Sequence, residues 1–199
     1  GALLKIADRY VNEKGKLLDI GAGNGFFLDE SLSQGYKKVF GIEPSKHAVG
    51  MGKKNKDKKI INDILRNGQF KKGFFDVITI FQTIDHLEEP NNVLKICNGY
   101  LKNGGLVLCI SHDVNSLSAK IMGERSPIFD IEHTQLFSKK TIARILEKNG
   151  FKVVYSGEIS NTFAIGYWIM LSPLPKFVKN ALGKVLRMFE LESKEITIK

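Results

Sequence analysis

Cysteine is nearly absent: two residues in 199, Cys97 and Cys109, each inside an apolar run. That excludes a disulfide scaffold and any zinc site of the paired Cys-x-x-Cys type, and it fits a reducing compartment. Long hydrophobic runs are also missing. The longest, Phe163 to Leu171, has nine residues, well short of the ~18–20 that a membrane span requires. The opening GALLKIADRYVNEKGK lacks the apolar core of a secretory signal; Gly1 reads as a cloning remnant with residues missing before it. A soluble, cytoplasmic chain is expected. Acid is scarce relative to base, 21 Asp+Glu against 30 Lys+Arg, for a formal charge of +9. The densest basic run, Lys53-Lys54-Asn55-Lys56-Asp57-Lys58-Lys59, carries no arginine cluster and no interleaved aromatic residue, so it lacks the stacking platform of a nucleic-acid surface. A solvated lysine-rich face is the expectation.

What the chain does contain is a series of short apolar runs separated by helical patterns. Strands are expected near 17–20, 39–42, 60–65, 75–81 and 106–110, the last entered through a tight turn at Asn103-Gly104-Gly105. Helices are expected at 26–34, 46–52, 90–101 and 138–149, with Ser138 as N-cap and Gly150 just past the end of the last. Runs at 151–155 and 163–170, with no helix between them, predict a closing antiparallel hairpin. Apolar runs alternating with helices indicate buried parallel strands. The expected architecture is therefore α/β and doubly wound: a mostly parallel sheet of seven strands, helices on both faces, and a terminal hairpin. Residues 1–171 form the expected domain and 172–199 an amphipathic tail.

The chemistry concentrates at Leu17-Leu18-Asp19-Ile20-Gly21-Ala22-Gly23-Asn24-Gly25. Glycines at a strand-to-helix turn permit positive φ and let a ligand approach bare backbone, and in a doubly wound sheet this turn lies at the ligand-binding edge. The third glycine arrives one position too early for the dinucleotide fingerprint G-x-G-x-x-G. Glu43 follows the first glycine by 22 positions, where an acid accepts ribose hydroxyls. Asp63 closes the third expected strand, where a carboxylate can accept from an exocyclic amine or simply cap a turn.

These motifs, in this order, resemble the class I S-adenosylmethionine-dependent methyltransferases of the small-molecule type, over roughly residues 10–156. LLDIGAGNG is similar to the family's glycine motif, with Asp19 as its acid. VFGIEPS matches the second-strand motif with Glu43 and Pro44, and NDI supplies Asp63. FDVITIFQTIDHLEEP, LKNGGLVLCIS and HTQLFSKKTIARILEKNGFKVV match the later segments. Two positions depart: Asp85-His86 stands where many relatives have Glu-His, and Asn103 replaces a usual proline. The resemblance implies a Rossmann-like methyltransferase fold and S-adenosyl-L-methionine as cofactor, with S-adenosyl-L-homocysteine as product. It further implies contacts from Asp19, Gly21, Ala22, Gly23, Gly25, Glu43, Pro44, Asp63, Ile64, Phe81 and Gln82. The acceptor implied is a small molecule or a glycan or lipid-linked precursor. The fourth-strand motif lacks the Asn/Asp-Pro-Pro-aromatic signature, and no Pro-Cys nucleophile is present, so nucleic acid is disfavoured.

Methylating a hydroxyl calls for a general base, ideally histidine. His86, His112 and His133 follow the fourth strand, the fifth strand and the loop before the late helix, all on the expected ligand side; His86 and His133 are the leading catalytic candidates. Each is also compatible with a structural role. Asp85 reads equally as an N-cap or as an orienting carboxylate. No metal constellation is expected, because the acids around His86 crowd a helix start and complement its dipole. Tyr167 and Trp168 are compatible with an acceptor pocket or with the core. Two other functions compete: a non-catalytic S-adenosylmethionine-binding domain, and an NAD-dependent oxidoreductase, which the glycine spacing opposes.

The tail pattern FVKNALGKVLRM has helical period. Phe177, Val178, Ala181, Leu182, Val185, Leu186, Met188 and Phe189 fall on one half of the wheel. Lys179, Asn180, Gly183, Lys184, Arg187 and Glu190 fall on the other. Pro173 and Pro175 suit a helix start. The stripe is expected to pack on its own sheet, to form a homodimer, or to rest on an anionic membrane surface as a peripheral contact.

Overall fold

The computed structural model describes residues 2–11, 13–159, 161–172, 174–189 and 191–198. Pro173, Glu190 and the side chain of Trp168, all named above, lie outside the described residues. The chain divides into two compact units, Gly1–His112 with Glu132–Val153, and Asp113–Ile131 with Val154–Lys199. This partition by compactness is distinct from the expected division at residue 171.

In the first unit, α1 (Ala2–Ala7) precedes an alternating series: β1 (Lys16–Ile20), α2 (Phe26–Ser33), β2 (Lys38–Ile42), α3 (Lys46–Gly50), β3 (Lys58–Ile61), β4 (Phe75–Phe81), α4 (Pro90–Tyr100) and β5 (Leu101–Ile110). Its sheet has the order β3-β2-β1-β4-β5 with every pair parallel. The alternation of side chains along each strand explains the layering. Leu17, Val39 and Val77 are fully buried on one face with Leu4 and Leu28. Leu18, Ile78 and Ile80 are fully buried on the other with Ile84, Leu94 and Tyr100. Strands apolar on both faces are what a parallel sheet covered by helices demands. The chain runs outward from β1 to β3 and returns to β4 on the far side of β1, so the strand order reverses between β1 and β4. A ligand crevice opens at such a reversal, beyond the carboxyl ends of the strands.

The structure corrects several expectations. The parallel sheet has five strands, not seven. Residues 151–159 carry no regular secondary structure. Phe151 anchors the stretch in the core, but Val154 and Tyr155 are about half exposed at 49 % and 52 %, so no buried face holds a strand in register. The second half of the expected hairpin is helical instead, as α7 (Ile165–Leu171); a short apolar run reads alike as strand or buried helix. In the second unit α5 (Leu117–Met122), α7 and α8 (Lys176–Met188) accompany an antiparallel pair, β6 (Asn161–Ala164) with β7 (Glu195–Ile198), a pairing far from the expected hairpin. Asn103-Gly104-Gly105 lies within β5, where the register jumps from Phe75 opposite Leu101 to Val77 opposite Leu106 and Gly104 takes φ 75°. The late helix, α6 (Lys139–Lys148), starts as expected, with Ser138 and Thr141 forming a reciprocal cap and Gly150 at φ 87° after its end.

Candidate functional site

The glycine turn leaves β1 at the strand-order reversal. Its start is tied to the end of β2, because the N–H groups of Gly21 and Ala22 both donate to Ile42 O, at 2.9 and 3.1 Å. Gly21 takes φ 78°, and a Cβ there would collide with the Thr83 side chain just beyond β4. The turn and the post-β4 segment therefore meet only because position 21 has no side chain. Gly23, at φ 53°, has open space where a Cβ would stand, which exposes bare backbone to a ligand. Beside it Glu43, only 9 % exposed, accepts from the Gly23 N–H at 2.8 Å through Oε2 and from the Ser45 N–H at 2.8 Å through Oε1. A carboxylate fixed by two backbone donors at the edge of a strand is already oriented to receive hydroxyls.

Asp19 plays a different part. It sits one residue before the end of β1, 4 % exposed, and accepts a 2.6 Å hydrogen bond from Thr79 Oγ1 on the neighbouring strand. Burial pushes its carboxyl up to about 7; the Thr79 bond opposes the rise and the Glu43 charge adds to it. Asp63 lies two residues beyond β3, in a turn rather than at a strand end. Its carboxylate accepts from the Ile64 N–H at 2.8 Å, from Arg66 Nε at 3.3 Å and from Gln69 Nε2 at 3.3 Å, and the Ile64 bond is the main cause that holds it below the usual carboxylate range. Ile64 is 52 % exposed. The carbonyls of Glu43 and Pro44 both accept from Asn62 Nδ2, which joins the edges after β2 and β3. Phe81 packs edge-on against Phe27, with centroids 4.7 Å apart. Gln82 has φ 48°, the one positive-φ non-glycine residue among those described. Such outliers persist where surrounding structure holds them, often at functional sites.

The second part of the site is a histidine cluster in the same unit. Asp85 lies in a one-turn 3₁₀ segment after β4, 1 % exposed. It is not the N-cap of α4, a position Glu89 occupies. Its Oδ2 accepts from the His112 backbone N–H at 3.1 Å and faces His112 Nδ1 at 3.1 Å. Its Oδ1 is buried with no hydrogen-bond partner among the described residues. The His133 ring lies 4.9 Å from that of His112 and 4.7 Å from that of His86. Two bonds to one backbone carbonyl explain the convergence: Gln135 N–H and Thr134 Oγ1 both donate to Asp85 O, at 2.9 and 3.2 Å. They dock the loop before α6 onto the segment after β4. His86 Nδ1 lies 2.9 Å from Glu132 O; a carbonyl only accepts, so Nδ1 carries the proton. Cys109, one strand over, has its thiol pushed up to about 12 by burial, with the Asp85 charge a lesser cause.

Three histidines thus meet, although His86 and His133 were the leading pair in the sequence. The pairing of Asp85 with His112 was not legible there; the signal was a histidine just past each of two neighbouring strand ends. His47 lies in the first turn of α3 and is exposed. Among the described residues no group of three or more histidine, cysteine or acidic side chains is placed to hold a metal ion.

The strand reversal, the open glycine turn and the acid after β2 define a doubly wound nucleotide-binding domain. Residues 2–156 match the family described as Methyltransferase domain, and the chain belongs to that family. A ubiquinone biosynthesis O-methyltransferase of Coxiella burnetii is 28 % identical over 111 residues, 51 % of this chain and 46 % of that protein, so the match spans less than half of the relative's length. Among solved structures, a provisionally assigned methyltransferase of Bacillus halodurans is similar with a TM-score of 0.69 at 17 % identity, covering 94 % of this chain and 85 % of that one. A SAM-dependent methyltransferase of Archaeoglobus fulgidus is similar with a TM-score of 0.61 at 18 % identity, covering 96 % and 86 %. The family's methyl donor is S-adenosyl-L-methionine. The residues present fit it: an uncovered glycine backbone at Gly23, a pre-oriented acid at Glu43, and an unusual backbone at Gln82.

Proposed function

We propose that this chain catalyses methyl transfer to a hydroxyl of a small molecule, a glycan or a lipid-linked precursor. The observation that carries the hydroxyl reading is the buried Asp85 carboxylate set against His112. Glu43 holds the ribose hydroxyls of S-adenosylmethionine, Gly21, Ala22, Gly23 and Gly25 give it backbone, and Asp63 with Ile64 and Pro44 lie toward its base. Phe81 and Gln82 flank the methionine end, and Asp19 supports the turn from beneath. When bound, the cofactor supplies an electrophilic methyl group, so the protein's work is chiefly to position the acceptor and to take up its proton.

A carboxylate facing Nδ1 fixes the ring tautomer with the proton on Nδ1 and leaves Nε2 free to accept. His112 is therefore the base that takes the hydroxyl proton, and Asp85 orients it and stabilises the imidazolium. His133 and His86 line the same space and orient the acceptor. The C. burnetii relative, named as an O-methyltransferase, supports an oxygen acceptor.

The test supplies S-adenosylmethionine labelled in the methyl group, with a small-molecule extract as acceptor source, and separates labelled products by their stability to alkali. Label that survives alkaline hydrolysis in a neutral or anionic product and is released as methyl iodide by hydriodic acid is a methyl ether and is the expected result; label that survives both treatments is a C-methyl group and overturns the hydroxyl reading. Label released as methanol marks a carboxylate acceptor, and label in a cationic product marks an amine; either overturns the hydroxyl reading.

A further inference from the structure

The second unit contains an amphipathic helix that packs with the wrong side. In α8 the residues turned toward α7 are polar or small apart from Leu186. A cleft is lined by Gly166, Ile169 and Met170 from α7 and by Lys179, Gly183 and Leu186 from α8. Lys179 Nζ donates to Met170 O at 2.7 Å, and Arg187 pairs with Glu192 at 3.1 Å. The apolar stripe is left outside: Phe177 is 74 % exposed, Val185 48 %, Met188 71 % and the following Phe189 62 %. At ~100° per residue, Phe177, Ala181, Val185 and Met188 fall within an arc of about 80°. Lys184 borders that arc beside Phe177, Lys176 is the first residue of the helix, about 100° from Phe177, and both are exposed. The helix KFVKNALGKVLRM holds four basic residues and no acid.

We propose that this face of α8 docks on an anionic lipid bilayer. A water-facing stripe of two phenylalanines, a valine and a methionine has no soluble purpose of its own. Cations with no acid among them favour a negatively charged surface over a neutral one. The geometry matches a helix lying in the interfacial plane: the apolar arc enters the acyl boundary, and Lys176 and Lys184 reach headgroup phosphates. No helix among the described residues is long and apolar enough to cross a membrane, so the contact is peripheral. The inference does not depend on which acceptor is methylated.

Co-sedimentation of the full chain with vesicles tests it. Pure phosphatidylcholine vesicles are compared with vesicles containing about one-third phosphatidylglycerol, at low and at high salt. The expected result is sedimentation with the anionic vesicles only, weakening severalfold at high salt. It should fall at least tenfold in the double variant Phe177→Asp/Met188→Asp. Retained S-adenosylhomocysteine affinity certifies that the first unit is folded in each variant. Should the double variant fail to fold, Lys176→Glu/Lys184→Glu replaces it, with the same loss expected. A wild-type chain that stays in the supernatant overturns the proposal, as does a folded variant that sediments undiminished, which would point to the Lys53–Lys59 run. A wild-type dimer in sedimentation velocity that becomes monomeric on Phe177→Asp, without vesicle binding, overturns it in favour of a second copy.

Discussion

The glycine turn and the histidine cluster stand at the same edge of one sheet, yet they are built on opposite principles. The turn is local. Gly21, Gly23 and Gly25 fall within one short turn, and the acid that completes it, Glu43, immediately follows β2, the parallel neighbour of β1. The cluster is assembled from three separate segments, after β4, after β5 and before α6, and is held by backbone bonds such as Gln135 N–H to Asp85 O. A cofactor shared by many enzymes can be held by a short, repeatable motif. An acceptor particular to one enzyme requires groups that loops bring together. That difference says where to look for specificity: in the segments that carry His86, His112 and His133.

The largest effect should come from the cluster. His112→Ala is expected to lower turnover by about 10²–10⁴-fold, the usual worth of a general base, with donor affinity unchanged. Asp85→Asn should lower it by a similar factor, since it alters the partner of His112 Nδ1. Steady-state kinetics of His86→Ala, His112→Ala and His133→Ala separate the roles. If His112→Ala turns over normally while His86→Ala or His133→Ala does not, the base is reassigned and the importance of the buried carboxylate falls with it.

A smaller effect is expected in the turn. Gly21→Ala forces a side chain into φ 78° against Thr83, which costs about 1–3 kcal/mol from backbone conformation alone and is read from the urea midpoint. Gly23→Ala, at φ 53° but in open space, carries the strain without the collision. It should therefore destabilise less while still hindering the ligand. Equal loss of stability at both positions would mean that the contact with Thr83 contributes nothing.

The smallest effect concerns protonation. Asp19 is raised in the folded state to about 7 from its ordinary 3.8, so between those values the folded chain holds a proton that the unfolded chain has released. Stability from this group is complete below the unfolded value and falls as pH rises toward 7. Asp19→Asn should flatten that slope in denaturant midpoints measured between pH 4 and 8. An unchanged slope would show that Asp19 is already ionised at low pH.

Much of the sheet was legible because β1, β2 and β4 are apolar on both faces, and Leu17-Leu18-Asp19-Ile20 followed by glycines leaves few alternatives. The end of the chain was not. FAIGYWIML has neither alternation nor clear helical period, and after Phe163 and Ala164, which close β6, it became α7 where a strand was expected. Asp63 was placed at a strand end because Ile60 and Ile61 precede it, but its carboxylate folds back onto Ile64 and Arg66 and the strand stops early. The place of Glu43 beside the glycine turn was legible from spacing alone. The Asp85–His112 pair was not, because 27 residues and the whole of α4 and β5 separate its members, and only the parallel pairing of β4 with β5 makes them neighbours.

The central claim is that a local turn, completed by Glu43, holds the methyl donor. Calorimetric titration of S-adenosylmethionine into the wild-type chain and into Glu43→Ala tests it most directly, with NAD as the control ligand. Removing a charged hydrogen-bond acceptor costs ~1.5–3 kcal/mol, or roughly tenfold to a hundredfold in affinity. The account predicts one S-adenosylmethionine per chain, no NAD binding, and a loss of that size in a folded Glu43→Ala protein; undiminished affinity in that variant would contradict it.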